Sequence, residues 1–267
     1  MISPNLFVAR ISFVVFTLIG AACQAALTGV SQVGSNLDPI APQIEATPLG
    51  EESFAYVDRT HELTAARYDP NTLLLATANT GTLVPMPGYL LGAQYVANAN
   101  DNRTAGIAND PFSYTVTYTV DEPSRAYLLL DNRLNGTASH ATSSPNNTDP
   151  DLGGSLTWVL NDGWVRVNTG IMPNGQADYV GIDEGGTATD PSLRTHHDPG
   201  PGESLNQFFA IYTRDIPAGT FETRSIRMTT GAGNMYVVAV QPIPEPGTLA
   251  LGGLGAVLGW LFLRRRR

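Results

Sequence analysis

Phe112-Ser113-Tyr114-Thr115-Val116-Thr117-Tyr118-Thr119-Val120 alternates apolar and polar side chains without a break. Phe112, Tyr114, Val116, Tyr118 and Val120 fall on one face, and Ser113, Thr115, Thr117 and Thr119 on the other. A period of two describes a half-buried antiparallel strand, and no helix produces it. Working outward, Asp121-Glu122-Pro123-Ser124 turns the chain into Arg125-Ala126-Tyr127-Leu128-Leu129-Leu130, a second strand. Residues 156–160 and 164–167 flank Asn161-Asp162-Gly163, a turn signal that predicts a hairpin. Further strands are expected at 54–59, 72–76, 90–97, 208–213, 221–229 and 235–241. The pattern predicts nine to eleven short strands, no helix longer than two turns, and a single antiparallel β-sandwich of jelly-roll type over residues 26–243. Residues 27–50 read as a weakly ordered lead, and 135–154 and 183–206 as long polar loops.

Composition narrows the function classes. The chain has 267 residues, 15% of them charged, and its basic residues are all Arg. Average soluble domains carry roughly 25% charge. Coiled coils and helical arrays would be richer in Ala, Glu and Lys and poorer in Pro. Segment 26–243 holds 10 basic against 23 acidic residues, a net charge of −13. Such a body repels nucleic acid and anionic lipid and stays soluble outside a cell. One Cys excludes a disulfide scaffold.

The two ends read as addresses. Arg10, the apolar run that begins at Ile11 and the small residues 20–25 have the layout of a secretory signal peptide over residues 1–25. Cleavage by signal peptidase after Ala25 puts Cys23 and Ala25 at the −3 and −1 positions. A rival reading lipidates Cys23, although Gly20 stands where a lipobox prefers Leu. If Cys23 leaves with the signal, the mature protein has no thiol for catalysis. At the other end, residues 247–263 carry no charge and are followed by Arg264, Arg265, Arg266 and Arg267. As a helix this run spans about 25 Å, the lower limit for crossing a bilayer. The terminal arginines orient it with the tail in the cytoplasm and the body outside. Composition alone leaves a plain single-span anchor open.

Pro244-Glu245-Pro246-Gly247-Thr248-Leu249-Ala250, the Gly-rich apolar run and the Arg tail together resemble the PEP-CTERM protein-sorting signal. The resemblance covers residues 244–267, about a tenth of the chain. It implies a Gram-negative bacterium with an exosortase, a membrane-embedded cysteine protease or transpeptidase that reads the tripeptide. It further implies passage through the inner membrane to the cell surface or to the exopolysaccharide matrix of a biofilm. Within the motif it assigns Glu245 as the recognition charge and the two prolines as the residues that keep the site extended.

The body offers weaker candidates. Asp183, Glu184 and Asp190 surround Gly185-Gly186, an oxygen-rich turn of the kind that holds Ca²⁺, yet without the alternating ligands of an EF-hand loop. The competing reading is a plain acidic turn. Trp158 and Trp164 are candidates for a sugar-stacking platform, the competing reading being core burial. His196-His197-Asp198 reads as a solvated loop. There is no Gly-x-Ser-x-Gly elbow, so the expectation is a protein without catalytic residues or cofactor. Two functions follow as expectations. One is an exported structural or adhesive protein of the envelope or matrix. The other is a carbohydrate-binding module, with or without Ca²⁺.

Overall fold

The computed structural model describes residues 27–76, 81–134, 149–184, 192, 194–196, 200–202, 205–227 and 233–243. Its strands begin with β1 (Leu27–Gly34), β2 (Gln43–Ile44), β3 (Ser53–Phe54), β4 (Glu62–Thr64), β5 (Ala66–Tyr68), β6 (Thr82–Val84) and β7 (Gln94–Ala97). They continue with β8 (Tyr114–Val120), β9 (Ser124–Asp131), β10 (Val165–Arg166), β11 (Tyr179–Asp183), β12 (Leu205–Ile216), β13 (Gly219–Arg224) and β14 (Val237–Pro242). A single-turn helix, α1 (Thr157–Asn161), precedes β10.

β8 keeps the alternation read from the sequence. Tyr114, Val116, Tyr118 and Val120 are buried, and the threonines between them are half-buried. Phe112 departs from it and is 71% exposed. The Asp110 side chain accepts from the Phe112 amide and Pro111 follows the cap, so Pro111–Ser113 forms a 3₁₀ turn. That turn resets the phase, and the strand starts at Tyr114.

Among the described residues the strands form three sheets. β1-β8-β13 is a three-stranded sheet, β2-β7-β14-β9-β12-β11-β4-β3 a large sheet with β10 added beside β12, and β5-β6 a two-stranded ribbon. Every strand pair is antiparallel. Side chains from the small and large sheets join one apolar cluster. The expected lead at 27–50 is corrected: Leu27–Gly34 pairs with β8 along its length. Its Gly, Ser and Thr carry little strand signal, and the partner supplies the order. Residues 126–131 of β9 and 207–212 of β12 are buried on both faces, and Tyr89 stacks on Tyr127 at 5.1 Å on one side of the sheet.

The expected hairpin at 156–167 is also corrected. The Trp164 amide donates to the Val159 carbonyl at 3.0 Å and the Gly163 amide to Leu160 at 3.0 Å. With Gly163 at φ +83°, these bonds form a Schellman close to α1. The glycine that suggested a hairpin is a helix cap. Residues 72–76 turn back instead of forming a strand, since the Asp69 side chain accepts from the Asn71 amide and its carbonyl from Leu73. Among the described residues no helix is long and apolar enough to cross a membrane. The expected signal peptide, 1–25, and the expected span, 247–263, lie outside the described residues.

Candidate functional site

The chain leaves the fold through a central strand. Val237-Val238-Ala239-Val240 is a β-branched and small-residue run, buried throughout, as a strand covered on both faces requires. β14 lies between β7 and β9. Its pairing with β7 ends at Val240↔Gln94, while that with β9 runs on to Gln241↔Arg125 and Pro242↔Ser124. Pro242 is tolerated at the last rung, where no further amide is needed. The Ile243 amide then donates to the Pro123 carbonyl at 3.1 Å. Ser124, fully buried, ties the same turn by donating its hydroxyl to Glu122 O at 2.8 Å. Next along β9, Arg125 grips Asp215 with Nε at 2.7 Å and a second nitrogen at 3.1 Å. This hydrogen bonding holds the Asp215 carboxyl below the usual carboxylate range. Both side chains are about half exposed, so the pair contributes at most about 1 kcal/mol. β1 starts at the same end: Leu27 pairs with Val120, and its amide donates to Gln94 Oε1 at 2.7 Å.

The body candidates are placed differently from one another. Trp158 and Trp164 are each 2% exposed. Trp158 meets Tyr236 edge-on, and Trp164 meets Phe221 edge-on while Arg214 lies 4.8 Å over its ring. The sugar-platform reading of these two rings is therefore corrected, since a buried indole presents no face to a ligand. Asp183, the last residue of β11, is buried directly opposite Glu62 of β4. Glu184 accepts from Asn234 Nδ2 at 3.0 Å and lies 3.8 Å from Arg133, so its carboxylate is already engaged. Asp190 lies outside the described residues. His196 is clipped down, with Nδ1 2.6 Å from Glu62 Oε1 and its ring stacked on Phe54 at 4.6 Å. No sequence signal links Glu62 to His196, because the contact spans 134 residues.

Three carboxylates that nothing in the sequence singles out, Asp38, Asp58 and Asp101, bring ligand atoms within 4.8 Å of one another. Guanidinium groups engage two of them: Arg59 reaches Asp58 at 3.1 Å and Asp101 at 2.6 Å, and Arg103 reaches Asp101 at 2.9 Å, while Asp38 accepts the Ile40 amide at 2.8 Å. Burial pushes the Asp58 carboxyl up, and its oxygens accept the Asn100 and Asp101 amides. This is a loop clamp, with two arginines set among its three carboxylates. A groove of about 480 Å³ lies beside β13, lined among others by Asp162, Arg214, Glu222 and Arg224. Arg214 donates to Asp162 O at 2.7 Å and Arg224 Nε to Asp162 Oδ2 at 3.3 Å, so both cations of the groove are engaged by Asp162.

The model of the PEP-CTERM protein-sorting motif matches residues 242–267. The chain carries a PEP-CTERM sorting motif. The match opens on Pro242 and Ile243, so the PEP-CTERM segment starts inside β14, with no linker between strand and motif. The motif implies an exported, membrane-associated protein recognised by an exosortase. Its own residues Pro244, Glu245 and Pro246, the tail Arg264 to Arg267, and the expected signal cleavage residues Cys23 and Ala25 lie outside the described residues. No curated protein matches the sequence. One solved structure, a β-glucuronidase from glycoside hydrolase family 2, is similar at 12% identity and a TM-score of 0.42. The similarity covers 80% of this chain and 14% of that one, and so low a score assigns neither fold nor activity.

Proposed function

We propose that the chain is an exported, non-catalytic protein that an exosortase sorts to the cell envelope or exopolysaccharide matrix, where it acts as a structural or adhesive component. The carrying observation is the PEP-CTERM match at 242–267, continuous with a strand in the middle of the large sheet. In this reading a signal peptide at 1–25 exports the chain, 247–263 holds it in the inner membrane, and the body is one β-sandwich standing outside. A net charge of −13 on 26–243 keeps that body soluble there. Intact mass of the protein recovered from the host surface tests the reading. A species that starts near Ala26 and ends close to Pro244 is expected, and one that still carries 247–267 would refute processing. Removing 244–267 should release the body into the medium, and retention at the surface would count against sorting by the tail.

A carbohydrate-binding module, with or without Ca²⁺ at Asp183, would have to work without Trp158 and Trp164, which the core occupies. Affinity electrophoresis against the host polysaccharide separates the readings, because only a binder is retarded. A melting temperature unchanged by chelation would remove Ca²⁺.

A further inference from the structure

The sorting motif has almost no slack. Ile243 is still hydrogen-bonded to Pro123, and the tripeptide begins at the next residue. At about 3.4 Å per extended residue, Glu245 lies within about 7 Å of Ile243. The apolar run begins at Gly247, within about 14 Å of Ile243. The interfacial layer on one side of a bilayer is itself about 6 Å thick. The rim where β14 ends therefore stands at the membrane surface whenever 247–263 is inserted.

Resting on the exosortase reading, we propose that this rim is the surface that meets the membrane-embedded sorting enzyme, and that the last rungs of β14 part from β9 before the motif is engaged. Beside Ile243 the rim comprises the 121–123 turn, Leu91 with Gly92, and the 217–219 turn. Register places them together: Ser124 pairs with both Pro242 and Ile216, Gly219 with Val120, and Gln241 Nε2 donates to Leu91 O. β1 starts here too, opposite Val120, so an export signal at 1–25 would leave from the same end. Leu91 is 45% exposed, and Pro217, Ala218 and Pro123 are exposed. Asp121 and Glu122 make the tip acidic, which opposes adhesion to anionic lipid and favours a protein partner.

The opening is built into the register. Beyond Val240 the strand has lost its backbone pairing with β7, so the backbone of 241–243 is paired on the β9 side alone, with the Gln241 side chain on Leu91 O as a tie on the other side. A protease takes its substrate as an extended, unpaired segment, and these three residues are the ones that can be freed without disturbing the buried 237–240 run.

The test uses the full-length chain in host cells, with pulse-chase measurement of tail removal. Arg125→Cys with Gln241→Cys staples the rung, in a chain whose one native cysteine is Cys23 at the expected signal cleavage site; a free-thiol assay confirms closure. A second variant inserts a flexible Gly/Ser linker of about ten residues between Ile243 and Pro244. A third combines both changes. The stapled chain should lose its tail about tenfold more slowly than wild type and recover under reductant, while the linker makes processing indifferent to the staple. A photo-crosslinker at Leu91 should capture the enzyme, and one at Val33, at the far end of the β1–β8 ladder, should not. Equal rates for stapled and wild-type chains would overturn the opening step. Capture at Val33 but not at Leu91, or of lipid alone, would overturn the surface. Failure of the wild-type chain to be processed at all would instead overturn the exosortase reading.

Discussion

Replacing Trp164 by Ala tests whether the paired tryptophans hold the fold together or serve a ligand. Trp164 is 2% exposed, follows the Schellman close of α1, meets Phe221 of the small sheet at 6.5 Å and carries Arg214 at 4.8 Å. Truncating a buried Trp to Ala costs about 3–5 kcal/mol. The stacked guanidinium loses about another 0.5–1 kcal/mol. A total near 5 kcal/mol is a large share of the roughly 5–15 kcal/mol that holds a domain folded. With a urea slope of about 3 kcal/mol per M, the unfolding midpoint of the chain ending at Ile243 should fall by about 1.6 M. Trp158→Ala, which removes the ring against Tyr236, should behave alike. Urea titrations followed by circular dichroism read both. A midpoint that stays in place while affinity for the host polysaccharide disappears would refute core placement and restore the platform.

Gly163→Ala should cost about 1 kcal/mol in the same titration, because φ is +83° and the nearest atom to a new Cβ is 3.9 Å away, so backbone strain acts alone. No loss would mean that α1 does not close there. Tyr118→Phe should cost about 1 kcal/mol, as its hydroxyl sits 3.2 Å from Thr223 Oγ1, itself bonded to the Tyr236 hydroxyl at 2.8 Å; unchanged stability would break that chain of bonds. Burial raises the phenols of Tyr89, Tyr95, Tyr118 and Tyr212, and that of Tyr179 to about 12. Their folded pKa values exceed the unfolded value, so stability is full below about pH 10 and falls as pH rises toward the folded values. Phenolate absorbance should then appear together with cooperative unfolding. A separate, gradual titration of these phenols near pH 10 in a still-folded chain would refute their burial.

The sequence by itself determined the class of the fold and the address. Strict alternation in 114–120 can bury only one face of a strand, and the Leu and Phe runs of β9 and β12 can only be central. The tail needs no structure to be read, because the sorting motif is defined by the order of residues along a linear segment. Long-range pairing decided the rest. Leu27–Gly34 has too many small and polar residues to announce a strand, yet it becomes one against β8. Asn161-Asp162-Gly163 fits a hairpin and a helix cap equally, since both need a glycine at positive φ, and the packing of Trp158 and Trp164 chose the cap. Asp183 and Glu62 are 121 residues apart in the chain and meet only through the β4–β11 register. That the sorting motif abuts a central strand was likewise invisible in the sequence, because where a strand ends and which neighbour holds its last rung are properties of the sheet.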